Sequence, residues 1–124
     1  MNKNIQSLTA KIILEYKLII PNFQRIINKR KVDEIVEYQL NYIKKHNYHN
    51  FIGTINIHHL VPCKEYYLVD GQHRYEAIKI LYKKYSHNYS YNVEFVKVNS
   101  KEQLREVYLL IPLIIFIFMN GPEI

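Results

Sequence analysis

From Tyr66 to Leu81 the chain reads YYLVDGQHRYEAIKIL, passing from one secondary structure to another in a single Asp-Gly step. The residues up to Val69 form an apolar, strand-like run. Beyond Gly71, Ala77, Ile78, Leu81 and Tyr85 recur at helical spacing, which predicts a helix over Gln72–Tyr85. The strand EYYLVD (Glu65–Asp70) follows another, FIGTINIHHL (Phe51–Leu60), across a turn at Pro62–Glu65. That connection is too short for a crossover, so the two strands should pair antiparallel.

The flanks add elements of both kinds. EYKLII (Glu15–Ile20) reads as a short strand stopped by Pro21, and PNFQRIINKR as a polar, basic loop. From Val32 the apolar positions Val32, Ile35, Val36, Leu40 and Ile43 predict a helix. Asp33, Glu34 and Glu37 come early in it and Lys44, Lys45 and His46 late, an order that suits the helix dipole. HNYSYN (residues 87–92) reads as a loop and NVEFVKV (Asn92–Val98) as a half-buried strand. Ser100 and Gln103 fit a capping box opening a last helix. The expected fold class is α/β (α+β): a small mixed sheet with flanking helices.

At 124 residues there is room for one core, assigned to residues 1–106. The apolar fraction of 48% and charged fraction of 23% exclude a disordered chain. The net charge of +6 favours an anionic partner: nucleic acid, a nucleotide or a membrane surface; plain solubility explains it equally well. A single cysteine, Cys63, precludes an internal disulfide, and MNKNIQSLTA lacks a secretory core, so an intracellular, reducing compartment is expected. Residues 107–124 contain VYLLIPLIIFIFM, shorter than the roughly 20 apolar residues of a spanning helix and interrupted by Pro112. No membrane span is expected. The segment reads as packed on the domain or as a truncated end; an anchor, or a contact between copies in a homo-oligomer, are the other readings.

Arg74 is the chemically informative residue. The first N–H groups of a helix lack intrahelical partners and carry the positive end of its dipole, so a cation there costs about 0.3–1 kcal/mol if nothing compensates it. Arg74 lies one turn before Ala77 and Ile78 and shares their inward face. Two compensations are open. A phosphate could sit between the N–H groups and the guanidinium, with Gly71 permitting close approach and Gln72 and His73 adding donors. Alternatively Asp70 could cap the helix and pair with Arg74 four residues on.

LVDGQHRYEAIKIL resembles the signature of the ParB/sulfiredoxin-like superfamily, in the variant with an Asp-Gly-Gln-His-Arg box. The order of elements from about Tyr16 to Val98 agrees. The resemblance implies a nucleotide's phosphates at Gly71, Gln72, His73 and Arg74, with Gln24 and Arg25 of NFQR facing them. It permits an NTPase, a kinase or a nuclease, with Asp70 and His73 as candidate catalytic residues and Glu37 and Glu76 as further candidate bases; magnesium is implied only alongside a nucleoside triphosphate. A non-catalytic DNA-binding or regulatory module is the alternative. The position before the His-Arg pair, a nucleophilic cysteine in sulfiredoxins, is Gln72 here, so sulfinic-acid reduction is not expected. Nor is there room for the additional DNA-binding and dimerisation regions of ParB partition proteins.

Other groups read more plainly. His58 and His59 adjoin in a strand and should face opposite sides, one buried and one exposed. His46 and His49 lack the neighbours of a zinc site, and no metal site is assigned. Cys63 reads as a free thiol in a turn. Lys29, Arg30 and Lys31 form a basic run next to NFQR, either a solvated loop or a phosphate contact.

Overall fold

Strand β4 (Ser90–Val98) holds the sheet together, because it is paired on both sides. It runs antiparallel to β1 (Lys3–Thr9) and parallel to β2 (Ile55–Leu60), and β2 runs antiparallel to β3 (Glu65–Asp70). The strand order is therefore β1-β4-β2-β3, a four-stranded mixed sheet. The computed structural model describes residues 3–20 and 26–104. The remaining elements are helices α1 (Ala10–Glu15), α2 (Lys29–His46) and α3 (Gln72–Tyr85), with a 3-10 turn at Val61–Cys63 between β2 and β3.

Side-chain alternation builds a core on each face of the sheet. On one face Ile55, Ile57, Leu68 and Val93 meet Tyr75 and Ile78 of α3 and Ala10 and Ile13 of α1. On the other, Leu60, Val69 and Val98 pack with Leu104. Helix α2 forms an outer layer, its Val32 and Val36 packed on Ala77 and Leu81 of α3. The antiparallel β2–β3 pair, the bounds of α3 and the small mixed α/β architecture all follow the sequence expectation. The two histidines follow it in part: His58 is buried as expected of one of them, but His59 is half-buried rather than exposed.

Several expectations are corrected. EYKLII is not a strand. Glu15 ends α1, Lys17 takes a left-handed turn at φ 52°, and strand-like contact is confined to Ile19. Its N–H donates to Tyr66 O (2.9 Å) and its carbonyl accepts from Leu68 N–H (3.0 Å), forming a single parallel bridge beside β3. The true flanking strand is β1, whose first five residues are all exposed. An edge strand held by its ladder has no burial pattern to display. Strand β2 begins at Ile55, leaving residues 51–54 irregular, while Ser90 and Tyr91 of the expected loop belong to β4.

Helix α2 starts at Lys29 rather than Val32, because Asn28 caps it: its Oδ1 accepts the Lys31 N–H at 3.3 Å. Lys29, Arg30 and Lys31 are thus its first turn, not a loop, and Asp33, Glu34 and Glu37 fall too late to complement the dipole there. Tyr85 is exposed rather than part of the α3 stripe; Tyr75 is buried instead. Ser100 Oγ accepts the Gln103 N–H as expected, but Gln103 Oε1 reaches the Asn99 N–H (2.8 Å), one residue before the cap. The apolar segment from Val107, with the domain boundary at 106, lies outside the described residues, as do Gln24 and Arg25.

Candidate phosphate site at two helix N-termini

The C-terminal ends of α2 and α3 obey the dipole rule, closing on Lys44, Lys45 and His46 and on Lys83 and Lys84. Their N-terminal ends break it. Neither helix has an acidic residue in its first turn; α2 opens on Lys29, Arg30 and Lys31 and α3 on Gln72, His73 and Arg74. The two ends are also tied together. The N–H of Asn28, the α2 cap, donates to His73 Nε2 at 3.1 Å. To accept it, Nε2 must be unprotonated, so His73 is neutral in this arrangement.

Gly71 starts α3 with φ 94°, in the left-handed region that favours glycine, and offers no side chain to cap the turn. Its own N–H is taken by Asp70 Oδ1 at 2.9 Å. Among the described residues Asp70 makes no ion pair with Arg74. Arg74 instead folds back over two glycines. A Cβ added to Gly71 would lie 3.3 Å from its Nη2, and one added to Gly53 only 2.8 Å from its Nη1. Nη1 donates to the Ile52 carbonyl at 2.9 Å, the one hydrogen bond of this side chain among the described residues. A carbonyl oxygen satisfies one donor of five, and among the described residues the charge has no counterion.

Arg74 also borders two clefts. One, of about 270 Å³, is lined by Ser7, His49, Thr54, Tyr91 and Asn92 among others; the second, about 500 Å³, runs past Lys31, Glu34, Tyr38 and Asn50. Residues 50–52 line both.

The sequence offered His49 only as half of a rejected zinc pair with His46, and it offered nothing for Tyr91. They stack at 4.3 Å and 19°, and His49 is fixed from two sides: its Nδ1 accepts the Phe51 N–H (3.0 Å) and its Nε2 lies 2.6 Å from Ser90 O. Burial lowers its pKa, against the pull of the Ser90 hydrogen bond. The Tyr91 hydroxyl is buried without a hydrogen-bond partner among the described residues, and burial pushes its pKa far up. Neither residue lies in a motif. They are joined by the loop between α2 and β2 packing on the start of β4, some forty residues later in the chain.

Of the candidate site residues, the fold brings Gly71, Gln72, His73 and Arg74 together at one end of α3, with Asp70 exposed beside them. Of the further candidate bases, Glu76 pairs with Lys79 (3.6 Å), and Glu37 is exposed on α2. Among the described residues no three His, Cys, Asp or Glu side chains gather to hold a metal ion. No described helix is long and apolar enough to cross a membrane.

No family model matches the sequence, and no curated protein matches it significantly. Among solved structures the chain is similar to sulfiredoxin from Arabidopsis thaliana, at 23% identity and a TM-score of 0.50, over 84% of this chain and 96% of that one. At that identity the likeness concerns the fold: a small mixed α/β domain of the sulfiredoxin-like kind.

Proposed function

We propose that this domain binds a phosphate group, of a nucleotide or of nucleic acid, at the first turn of α3 between Gly71 and Arg74. The observation that carries the reading is the posture of Arg74. Its guanidinium is held over Gly71 and Gly53 at the positive end of a helix, with only a neutral carbonyl as partner among the described residues. An anion at that point would meet helix N–H groups, the dipole and a planar cation together. The basic first turn of α2, tied to the same place by His73, adds attraction of the same sign. The resemblance of the Asp-Gly-Gln-His-Arg stretch supports it as well, and the sulfiredoxin-like fold is consistent with that resemblance.

The observations favour binding over turnover. Both candidate acid–base groups are already engaged with backbone, Asp70 with the Gly71 N–H and His73 with the Asn28 N–H. Catalysis would require one of them to let go. Gln72 supplies no thiol where a sulfiredoxin has its nucleophile, and Cys63 is exposed in the 3-10 turn that precedes β3. If magnesium accompanies a triphosphate, phosphate oxygens and water would supply most of its ligands, as is usual for this ion.

Calorimetric titration with ATP, CTP, GTP and pyrophosphate, with and without magnesium, tests the reading. Arg74→Ala should weaken whichever ligand binds by about 1.5–3 kcal/mol, the range of a charge-assisted hydrogen bond. Arg74→Lys should recover only part of that, because an ammonium cannot make a bidentate contact. Unchanged affinity in a folded Arg74→Ala protein would retire the site. Release of phosphate from any of the three nucleotides would make the domain an enzyme rather than a binding module.

A further inference from the structure

A third concave surface lies on the face of the sheet that carries α3 and α1. Its residues share none with the two clefts at Arg74. Strand register sets it out. Lys97, His59 and Tyr66 stand side by side across β4, β2 and β3, and Phe95 stands beside Asn4 of the edge strand β1. Tyr16, the C-cap residue that follows α1, closes the cup. The cleft measures about 350 Å³ and is lined by these six residues and Gln6.

The rings there form a built wall. His59 and Tyr66 are stacked at 4.3 Å and 10°. Tyr16 stands edge-on to Tyr66 at 4.8 Å and tilted to Phe95 at 5.4 Å. All four rings are partly buried rather than sealed in the core, so ring surface is left facing the cleft. Asn4 and Gln6 are exposed, and their amides offer both donors and acceptors. Lys97 is exposed, and among the described residues no Asp or Glu lines the cleft. π-faces, amides and one uncompensated cation together suit a planar heterocycle that carries a negative charge.

We propose that this surface binds an unpaired base of a single-stranded nucleic acid, with the base against the Tyr16–Tyr66–Phe95 rings, its edge towards Asn4 and Gln6, and the adjoining phosphate towards Lys97. Aromatic faces with a neighbouring cation are how sheet surfaces take single strands; a duplex keeps its base faces stacked on one another and cannot present them. The net charge of +6 brings such a strand to the protein but does not select this place. The proposal stands apart from the Arg74 site and does not depend on it.

The test is fluorescence anisotropy of the full chain with a labelled oligothymidylate of about 12 nucleotides, within the span of single-strand sites. An abasic strand and a duplex of equal length serve as comparisons. The single strand should bind about tenfold tighter than the abasic strand, the expected effect of base stacking, and more tightly than the duplex. Tyr66→Leu, which keeps apolar bulk, and the surface change Lys97→Glu should each weaken it about fivefold or more. Circular dichroism checks that each variant is folded; if Tyr66→Leu is not, Lys97→Glu carries the test alone. No binding of the oligothymidylate, equal binding of the abasic strand, preference for the duplex, or full affinity in folded Lys97→Glu protein would each overturn the proposal. Loss of binding in Arg74→Ala but not in Lys97→Glu would overturn it too, by moving the strand to the α3 site.

Discussion

Asp70 and Arg74 are four residues apart across a helix start, the spacing at which a carboxylate and a guanidinium are expected to pair. They do not, because Asp70 Oδ1 accepts the adjacent N–H of Gly71 while Arg74 reaches Ile52, 22 residues earlier in the chain. Titration at His58, which is buried, and His49, which is half-buried, is a second effect of single residues. Burial lowers the pKa of His58, opposed by the charge of Glu94, and lowers that of His49. The unfolded chain, with imidazoles at about 6.5, therefore takes up protons first as the pH falls. The stabilisation is whole above about pH 6.5 and is lost as the pH drops towards the folded-state values. Urea midpoints measured from pH 7.5 down to 5 should decline, and His58→Leu should flatten part of the slope. A level profile in the parent protein would mean that both rings protonate freely in the native state.

At the scale of elements, α2 shows a conflict between stability and the proposed site. Its Asn28 cap stands before three consecutive basic residues and bonds through its backbone to His73. An aspartate would cap as well as asparagine and would add a charge favourable to the dipole, so Asn28→Asp should raise the melting temperature, by up to about 1 kcal/mol in stability. The same charge would stand next to the α3 first turn and should weaken phosphate binding. A variant more stable and equally tight would show that the two helix ends do not act on one ligand. Asn28→Ala separates the effects: it should cost about 1 kcal/mol of stability without adding repulsion.

For the molecule as a whole, the edge strand β1 does more than its composition suggests. Its residues pair with β4 from Lys3↔Val96 to Thr9↔Ser90, and Thr9 Oγ1 also accepts the Ile12 N–H at the start of α1. Deleting residues 1–8 would turn β4, a central strand, into an exposed edge. The truncated protein should melt at lower temperature and associate with rising concentration, measured by sedimentation velocity. A monomer of unchanged melting temperature would reduce β1 to an accessory.

The amino-acid order alone determined the pieces whose burial repeats regularly. The α3 bounds, the antiparallel β2–β3 pair, the split of His58 from His59 and the Asp-Gly junction with its arginine were all legible, because each depends on neighbours within a turn or a hairpin. β1 was not, since an exposed edge strand is specified by hydrogen bonds to a partner some ninety residues away. Helix α1 was hidden by its length of six residues, only two of them buried. The start of α2 was misplaced because an asparagine cap, not apolar periodicity, decides it. Only the tertiary structure brought Gly53 under the Arg74 guanidinium, and His49 against Tyr91 beside the same cleft. These contacts join loops and strands far apart in the chain, and pairing of that kind leaves no periodic trace in either segment.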